Sequence, residues 1–257
     1  MKRRTEQPSS LWGVLPVGVF LLLWEMVGRF HLFPGQFAFP PFTAVLSEFY
    51  HLTANGVLGK NFLSSLARVL IGLCAGSLAG ILMGVVMGWN HLANRALNPI
   101  ISLFYPIPAL GWLPLLMLWI GINEMLPITI IFICSFFPVV YNTTTGIKNV
   151  DRKYIQAAET LGASNLRILF KVVVPLALPN IFTGLRLEAG MSWRVLIAAE
   201  MVAIPTGIGA LLMRAESLVR VDIILVCLIV LSVMCLLFEK AFACMERCMV
   251  GKWSSSV

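Results

Sequence analysis

The chain has 257 residues, 59% of them apolar before glycine is counted, where ordinary soluble domains reach roughly 45–50% with glycine included. Charged residues make up only 12%, about half the usual share of roughly 25%. This composition excludes an ordinary soluble domain and makes a bilayer the solvent, so the net charge of +7 reflects topology and anionic lipid contact, not nucleic acid. A helical span takes about 20 residues plus a connection, so the length holds about five to seven spans and leaves no room for a nucleotide-binding domain. The patterns G-x-x-x-x-G-K-[ST], H-E-x-x-H, paired C-x-x-C and G-x-S-x-G are absent, so energy must come from a partner or an ion gradient. The six cysteines, Cys74, Cys134, Cys227, Cys235, Cys244 and Cys248, read as buried thiols and not as metal ligands.

In chain order, Lys2-Arg3-Arg4 precede an apolar run from Leu11 to Val27. No small-x-small cleavage site follows, so the run is expected to be an uncleaved first span, with residues 1–10 as a tail. Further apolar segments cover about Phe62–Gly88, Ile100–Ile120, Leu126–Gly146, Leu176–Ala203 and Ile223–Ala243, which gives six spans. The inside segments then hold Lys2, Arg3, Arg4, Arg95, Lys148, Arg152, Lys153, Arg167, Lys171, Lys240, Arg247 and Lys252, whereas the outside holds Arg29, Lys60, Arg214 and Arg220. The positive-inside rule therefore predicts that both termini are cytoplasmic. Arg68, Arg186 and Arg194 fall inside apolar runs.

Two outer connections are long. In His31–Asn61, Thr43 is expected to cap a short helix with Val45, Leu46, Phe49 and Tyr50 along one side. In the second, Leu211, Leu212, Ala215, Leu218 and Val219 recur at helical spacing after Gly207 and Gly209. Both read as interfacial helices, which either seal the spans or serve docking and gating.

Gly72, Gly76, Gly80, Gly84 and Gly88 recur every fourth residue in the second span. They form a slowly winding groove about 24 Å long at 1.5 Å per residue, along which another backbone can approach closely. A helix of the same chain is favoured over one of a second copy as the neighbour. In the third span, Pro106, Pro108 and Pro114 each remove a backbone donor, so a broken helix is expected. The stretch Tyr105 to Trp112 is then a candidate translocation path, the alternative being a kink buried between helices. Pro138 and Asn142 to Thr145 in the fourth span add weaker support.

Residues 149–175 form the longest polar stretch. Asp151 can cap a helix whose Tyr154, Ile155, Ala158 and Leu161 share one face, with Gly162 ending it in the left-handed conformation. Ser164 can cap a second short helix that stops before Pro175. Such a unit, with Ala157 and Ala158 exposed for close approach, is a knob suited to a socket on another protein.

Here the residues resemble a known family. Gln156-Ala-Ala, three residues, Gly162, nine residues, then Val172-Val-Val-Pro175 is similar to the EAA loop, E-A-A-x3-G-x9-I-x-L-P, of the permease subunits of binding-protein-dependent ABC importers. Pro40 to Leu46, Leu66-Ala67-Arg68-Val69, Pro106-Ile107-Pro108, Trp119 to Ile122, Phe136-Phe137-Pro138 with Asn142-Thr143, and Ala198-Ala199-Glu200-Met201 resemble the nitrate, sulfonate and taurine branch, from about Phe39 to Glu246. The resemblance implies an all-α polytopic protein of the type I importer permease fold, with a six-span domain over 11–246 and a cytoplasmic tail over 247–257. It implies a homodimer in the bacterial inner membrane, two cytoplasmic ATPase subunits that carry ATP and Mg while this chain binds neither, and an extracytoplasmic solute-binding protein. The solute would be small, such as a sulfonate, nitrate or taurine-like anion, and this chain would be a transporter subunit and not an enzyme. Tyr154, Gln156, Ala157, Ala158, Glu159, Leu161, Gly162 and Pro175 become the ATPase-coupling residues. Gln156 departs from the motif's Glu, so the charge-assisted hydrogen bond to the ATPase that a carboxylate there would offer, worth about 1.5–3 kcal/mol, is not available; Glu159 is the candidate replacement.

The fifth span holds Arg186, Glu188, Arg194 and Glu200 despite a cost of about 2.5–3.5 kcal/mol per central charge. At 100° per residue, Arg186, Arg194 and Glu200 fall within one arc of about 120°. Such a face lines a cavity or pairs internally. Tyr105, Pro106, Pro108, Trp112, Asn142, Arg194 and Glu200 are therefore the candidate path residues, while Glu188, on the opposite side, reads as structurally paired. A secondary transporter driven by an ion gradient is the alternative, but no internal repeats relate the halves. A membrane enzyme lacks support, since His31, His51 and His91 are scattered over loops.

Overall fold

Glycine weakens a helix in water by roughly 1 kcal/mol per residue, yet the five-glycine segment is helical from end to end, because in lipid every backbone group must be satisfied within the chain. The computed structural model describes residues 10–30 and 39–254, with side chains over 15–30 and 39–248. Lys2, Arg3, Arg4, His31, Lys252 as a side chain and residues 255–257 lie outside that description. Among the described residues, four helical stretches are long and apolar enough to cross a membrane: α3 (Val57–Trp89), α6 (Met125–Lys148), Asn165–Ala203, and Val221–Cys248 within α11 (Val221–Ser254). A bent pair, α4 (His91–Phe104) and a 3-10 turn (Ala109–Trp112) leading into α5 (Leu113–Trp119), turns through 87° at the Pro106–Pro108 break, the geometry of a broken span or of a re-entrant loop, and as one span it makes a fifth. The 20-residue α1 (Ser10–Arg29) is the candidate for the sixth.

The chain divides into two units. In the first, Met1–Gly59 with Leu212–Ile229, α1 carries residues 39–41 on its C-terminal turn. The Trp24 indole donates to the Pro40 carbonyl at 3.1 Å, and a Cβ at Gly28 would come within 2.5 Å of Pro41 Cα, so only glycine admits the chain there. Helix α2 (Phe42–Ala54) starts from Pro41, not from Thr43. Thr43 instead gives both its backbone N–H and its hydroxyl to the Glu25 carboxylate at 3.0 Å, because that carboxylate reaches it from α1. Val45 and Leu52 are the buried face of α2, while Leu46 and Tyr50 point outward. Arg220 pairs with Glu48 at 2.9 Å and Asp222 at 2.7 Å. Helix α10 (Ile208–Ser217) ends before Leu218 and Val219, which are exposed and do not continue its apolar face.

In the second unit, Lys60–Leu211 with Val230–Val257, the glycine groove of α3 receives α6 of the same chain. A Cβ added at Gly72, Gly80, Gly84 or Gly88 would meet Ile131, Val139, Thr143 or Ile147 at 2.5–3.0 Å, and one at Gly76 would overlap Ser135. Both helices thus contribute a row with a four-residue step, and the rows interlock with the two helices parallel. The next helix packs antiparallel on α6: Gly146 faces Asn180 Cβ and Gly184 faces Asn142 Cβ. The same spacing, Asn142 to Gly146 and Asn180 to Gly184, supplies each helix with one knob and one hole.

The cysteine expectation needs correction. Cys227 is buried, but Cys74, Cys244 and Cys248 are exposed and Cys134 and Cys235 half-buried. Lipid is as apolar as a protein core, so a small apolar side chain in a span gains little by turning inward.

Candidate functional site

At one end of the second unit, Arg68 of α3 is buried against carboxylates from two other segments. Its Nε and Nη2 donate to Glu124 at 2.7 and 2.8 Å. Its Nη1 donates to Glu200 Oε1 at 2.6 Å and the Thr206 carbonyl at 2.9 Å, and Nη2 also reaches Thr206 Oγ1 at 2.6 Å. All five guanidinium N–H groups therefore have an acceptor. Glu200, with no exposed surface, further accepts from Ser65 Oγ at 2.8 Å and the Gly209 N–H at 2.9 Å. A side chain at Gly207, whose φ is +109°, would overlap the Glu200 carboxylate, so this loop closes over the pair only because it is glycine. Charges taken out of water persist only when matched and fully hydrogen-bonded, and the buried Arg68–Glu200 pair meets that condition, with Glu124 adding bonds from an exposed position.

Residues 149–180 form the other end. Asp151 accepts from the Lys153 N–H at 3.0 Å and caps α7 (Arg152–Thr160). That backbone bond holds its carboxyl below the usual value near 3.8. The cap is thus at full strength above the ordinary carboxylate range and weakens only as pH falls through the lowered value. Gly162, at φ +76°, donates to the Glu159 carbonyl at 2.9 Å, and Ala163 donates to Ala158 at 3.0 Å, which is the Schellman pattern of a helix stop.

Two expectations about this segment are corrected. The second short helix, α8 (Asn165–Ile168), does not stop before Pro175. It passes through a π turn (Leu169–Val173) into α9 (Val174–Ala203), making 39 continuous helical residues. Proline lacks an N–H and crowds the carbonyl one turn back; the wider π turn just before it supplies the room. The apolar face of α7 also differs. Ile155 and Ala158 pack against the core of Ile147, Ile168, Leu169 and Val173, so Ala158 is an anchor and not an exposed contact. Leu161 is 87% exposed, because the helix has ended there and turns it outward. Gln156, Ala157 and Glu159 are exposed beside it, and Tyr154 is half-buried.

The candidate path residues do not gather. Tyr105 lines a cavity of about 210 Å³ together with Cys134, Phe137, Pro138, Glu188 and Met191. Pro106 and Pro108 lie exposed in the helix break, and Trp112 packs against Phe104 at 5.5 Å between ring centres. Asn142 is committed to Gly184 and to the Pro138 carbonyl at 2.9 Å. Glu200 belongs to the Arg68 cluster. Arg194 is exposed beside Cys235, and Arg186 reaches Glu246 at 3.6 Å. The expected common face of Arg186, Arg194 and Glu200 is therefore split, because neighbouring helices claim its members separately. Glu188, expected to be structurally paired, accepts a hydrogen bond from the Cys134 thiol at 3.4 Å and has no ion-pair partner among the described residues. The role of Arg68 was missed. It is the cation of the second span, and a lone in-span cation needs an in-span carboxylate, a demand that pointed to Glu188 or Glu200.

The chain matches the family model for the binding-protein-dependent transport system inner membrane component over residues 76–249. It is 37% identical over 231 residues to an ABC transporter permease protein of Methanocaldococcus jannaschii, covering 88% of this chain and 86% of that protein. To the taurine transport system permease protein TauC of Escherichia coli it is 34% identical, covering 93% and 90%. Its fold is similar to a chain of the inward-facing MetNI methionine ABC transporter, with a TM-score of 0.63, 17% identity, and coverage of 73% of this chain and 93% of that one. The chain belongs to the binding-protein-dependent transport system inner membrane component family and is an all-α, multi-pass permease subunit of an ABC importer, a transporter component and not an enzyme.

Proposed function

We propose that two copies of this chain form the membrane pathway of an importer whose ATPase subunits seat α7 in a groove, with both termini on the cytoplasmic side and six spans per copy. The single observation that carries the reading is the build of α7. It is stopped at both ends by its own sequence, anchored through Ile155 and Ala158 to the root of α9, and turned outward at Gln156, Ala157, Glu159 and Leu161. A motor pushing on those outward residues moves α9 through the anchor, and α9 carries the motion along the membrane normal. Gly162 and Pro175 are positioning residues here: the first sets where α7 ends, the second fixes the π turn that joins the unit to α9. A separate binding protein delivers the solute, which is a small sulfonate or taurine-like compound by analogy with the TauC relative.

The test is uptake of labelled taurine into membrane vesicles that carry this chain with its ATPase and binding protein. The reading expects uptake that requires ATP and survives an uncoupler of the proton gradient. Uptake that follows an ion gradient without ATP would instead favour a secondary transporter.

A further inference from the structure

The cavity between the broken third span and helices α6 and α9 has a chemistry that the coupling reading does not use. Its lining holds one acidic side chain, Glu188, and no Lys, Arg or His among the described residues. Glu188 is 8% exposed, and its hydrogen bond from Cys134, at 3.4 Å, comes from a weak donor. A buried carboxyl without a counter-charge ionises favourably only when a cation or strong donor reaches it, and it faces open volume that such a group could fill. Tyr105 and Phe137 border the same volume, and aromatic rings attract cations. Tyr105 is held in place by stacking on Tyr141 at 5.2 Å between ring centres.

We infer that this cavity is a solute contact site selective for a protonated amine, with Glu188 as its acceptor and Tyr105 and Phe137 as its aromatic wall. The inference rests on the permease reading and narrows it. A solute passing this point carries an ammonium or a comparable N–H donor, whether or not it also carries an acid group, and a plain anion is disfavoured here. Cys134 sits beside the acceptor and offers a built-in reporter.

The experiment uses the full chain in nanodiscs, with the other five cysteines replaced. Cys134 is modified at matched concentrations by 2-aminoethyl methanethiosulfonate, a cation, and by 2-sulfonatoethyl methanethiosulfonate, an anion. The rate ratio is normalised to that of a variant whose only thiol is Cys248. The expected preference for the cation is about ten-fold or more, falling to within about two-fold in Glu188→Gln and retained in Glu188→Asp. Equal rates with Glu188 present, a preference that survives Glu188→Gln, or a Cys134 that reacts with neither reagent would each overturn the inference. The measurement needs no ATP and no ATPase. A chain that shows the preference but fails ATP-driven uptake contradicts the permease coupling alone, and the converse contradicts this site alone.

Discussion

The two ends of α3, α6 and α9 are held by opposite means. At the Arg68 end, one guanidinium joins three segments, every donor is matched, and glycines at 207 and 209 let the backbone close over Glu200. At the α7 end, Ile155 and Ala158 are the apolar anchors, Tyr154 is half-buried, and the other residues of the short helix are exposed. The Arg68–Glu200 pair resists rearrangement because both side chains are buried, and breaking their bonds leaves a charge without a partner in an apolar medium, whereas Glu124 reaches Arg68 from an exposed position. On the proposed reading, a short helix held by two apolar anchors tilts more readily than the clamp opens. The difference, on that reading, makes the clamped end the pivot and the α7 end the lever.

The comparison breaks most severely if the clamp is cut. Arg68→Met is expected to destabilise the chain by about 3–5 kcal/mol, since Glu200 is left buried and unpaired. Adding Glu200→Leu restores much of that loss, which thermal unfolding in detergent would read as a Tm higher in the double variant than in the single one. Next is the interlocked α3–α6 pair. Gly84→Val places side-chain atoms against Thr143 and is expected to cost about 1–3 kcal/mol by overpacking. Gly190→Ala, with nothing within 4 Å of the added carbon, is neutral or raises Tm.

At the lever, Gly162→Ala meets open space but a positive φ, so the loss is conformational, about 1–2 kcal/mol. Gly162→Asn recovers part of it, because Asn tolerates the left-handed region, and ATP-driven uptake should follow the same order. The smallest effect is expected for Asp151→Ala, which removes an exposed cap. Hydrogen exchange over residues 152–160 should quicken while Tm barely moves, and Asp151→Asn should keep most of the protection.

Periodic features were legible from the residues. The glycine row announced a close helix contact, the prolines announced the break at 106–108, and Asp151 with Gly162 bracketed α7, since each acts through backbone geometry within one turn of itself. What stayed hidden was pairing across the bundle. Helical angle placed Glu200 on one face with Arg186 and Arg194, but which neighbour meets each residue depends on how α3, α9 and α11 cross, and no local spacing encodes that. Pro175 misled for a related reason: a proline ends a regular helix, whereas a π turn ahead of it lets the helix continue. The contact site at Glu188 escaped because an in-span carboxylate ordinarily implies a cation partner, and here it faces a cavity.

The central claim is that α7 meets a motor subunit, and crosslinking tests it most directly. Ala157→Cys is placed in a chain without other cysteines, the complex is isolated with its ATPase subunits, and a short bifunctional thiol reagent is added with and without ATP. The account predicts a crosslink from residue 157 to the ATPase subunit whose yield changes with nucleotide, and none from a control Ile122→Cys, an exposed position near the clamp. A residue 157 that labels freely from the extracytoplasmic side and forms no such crosslink would contradict it.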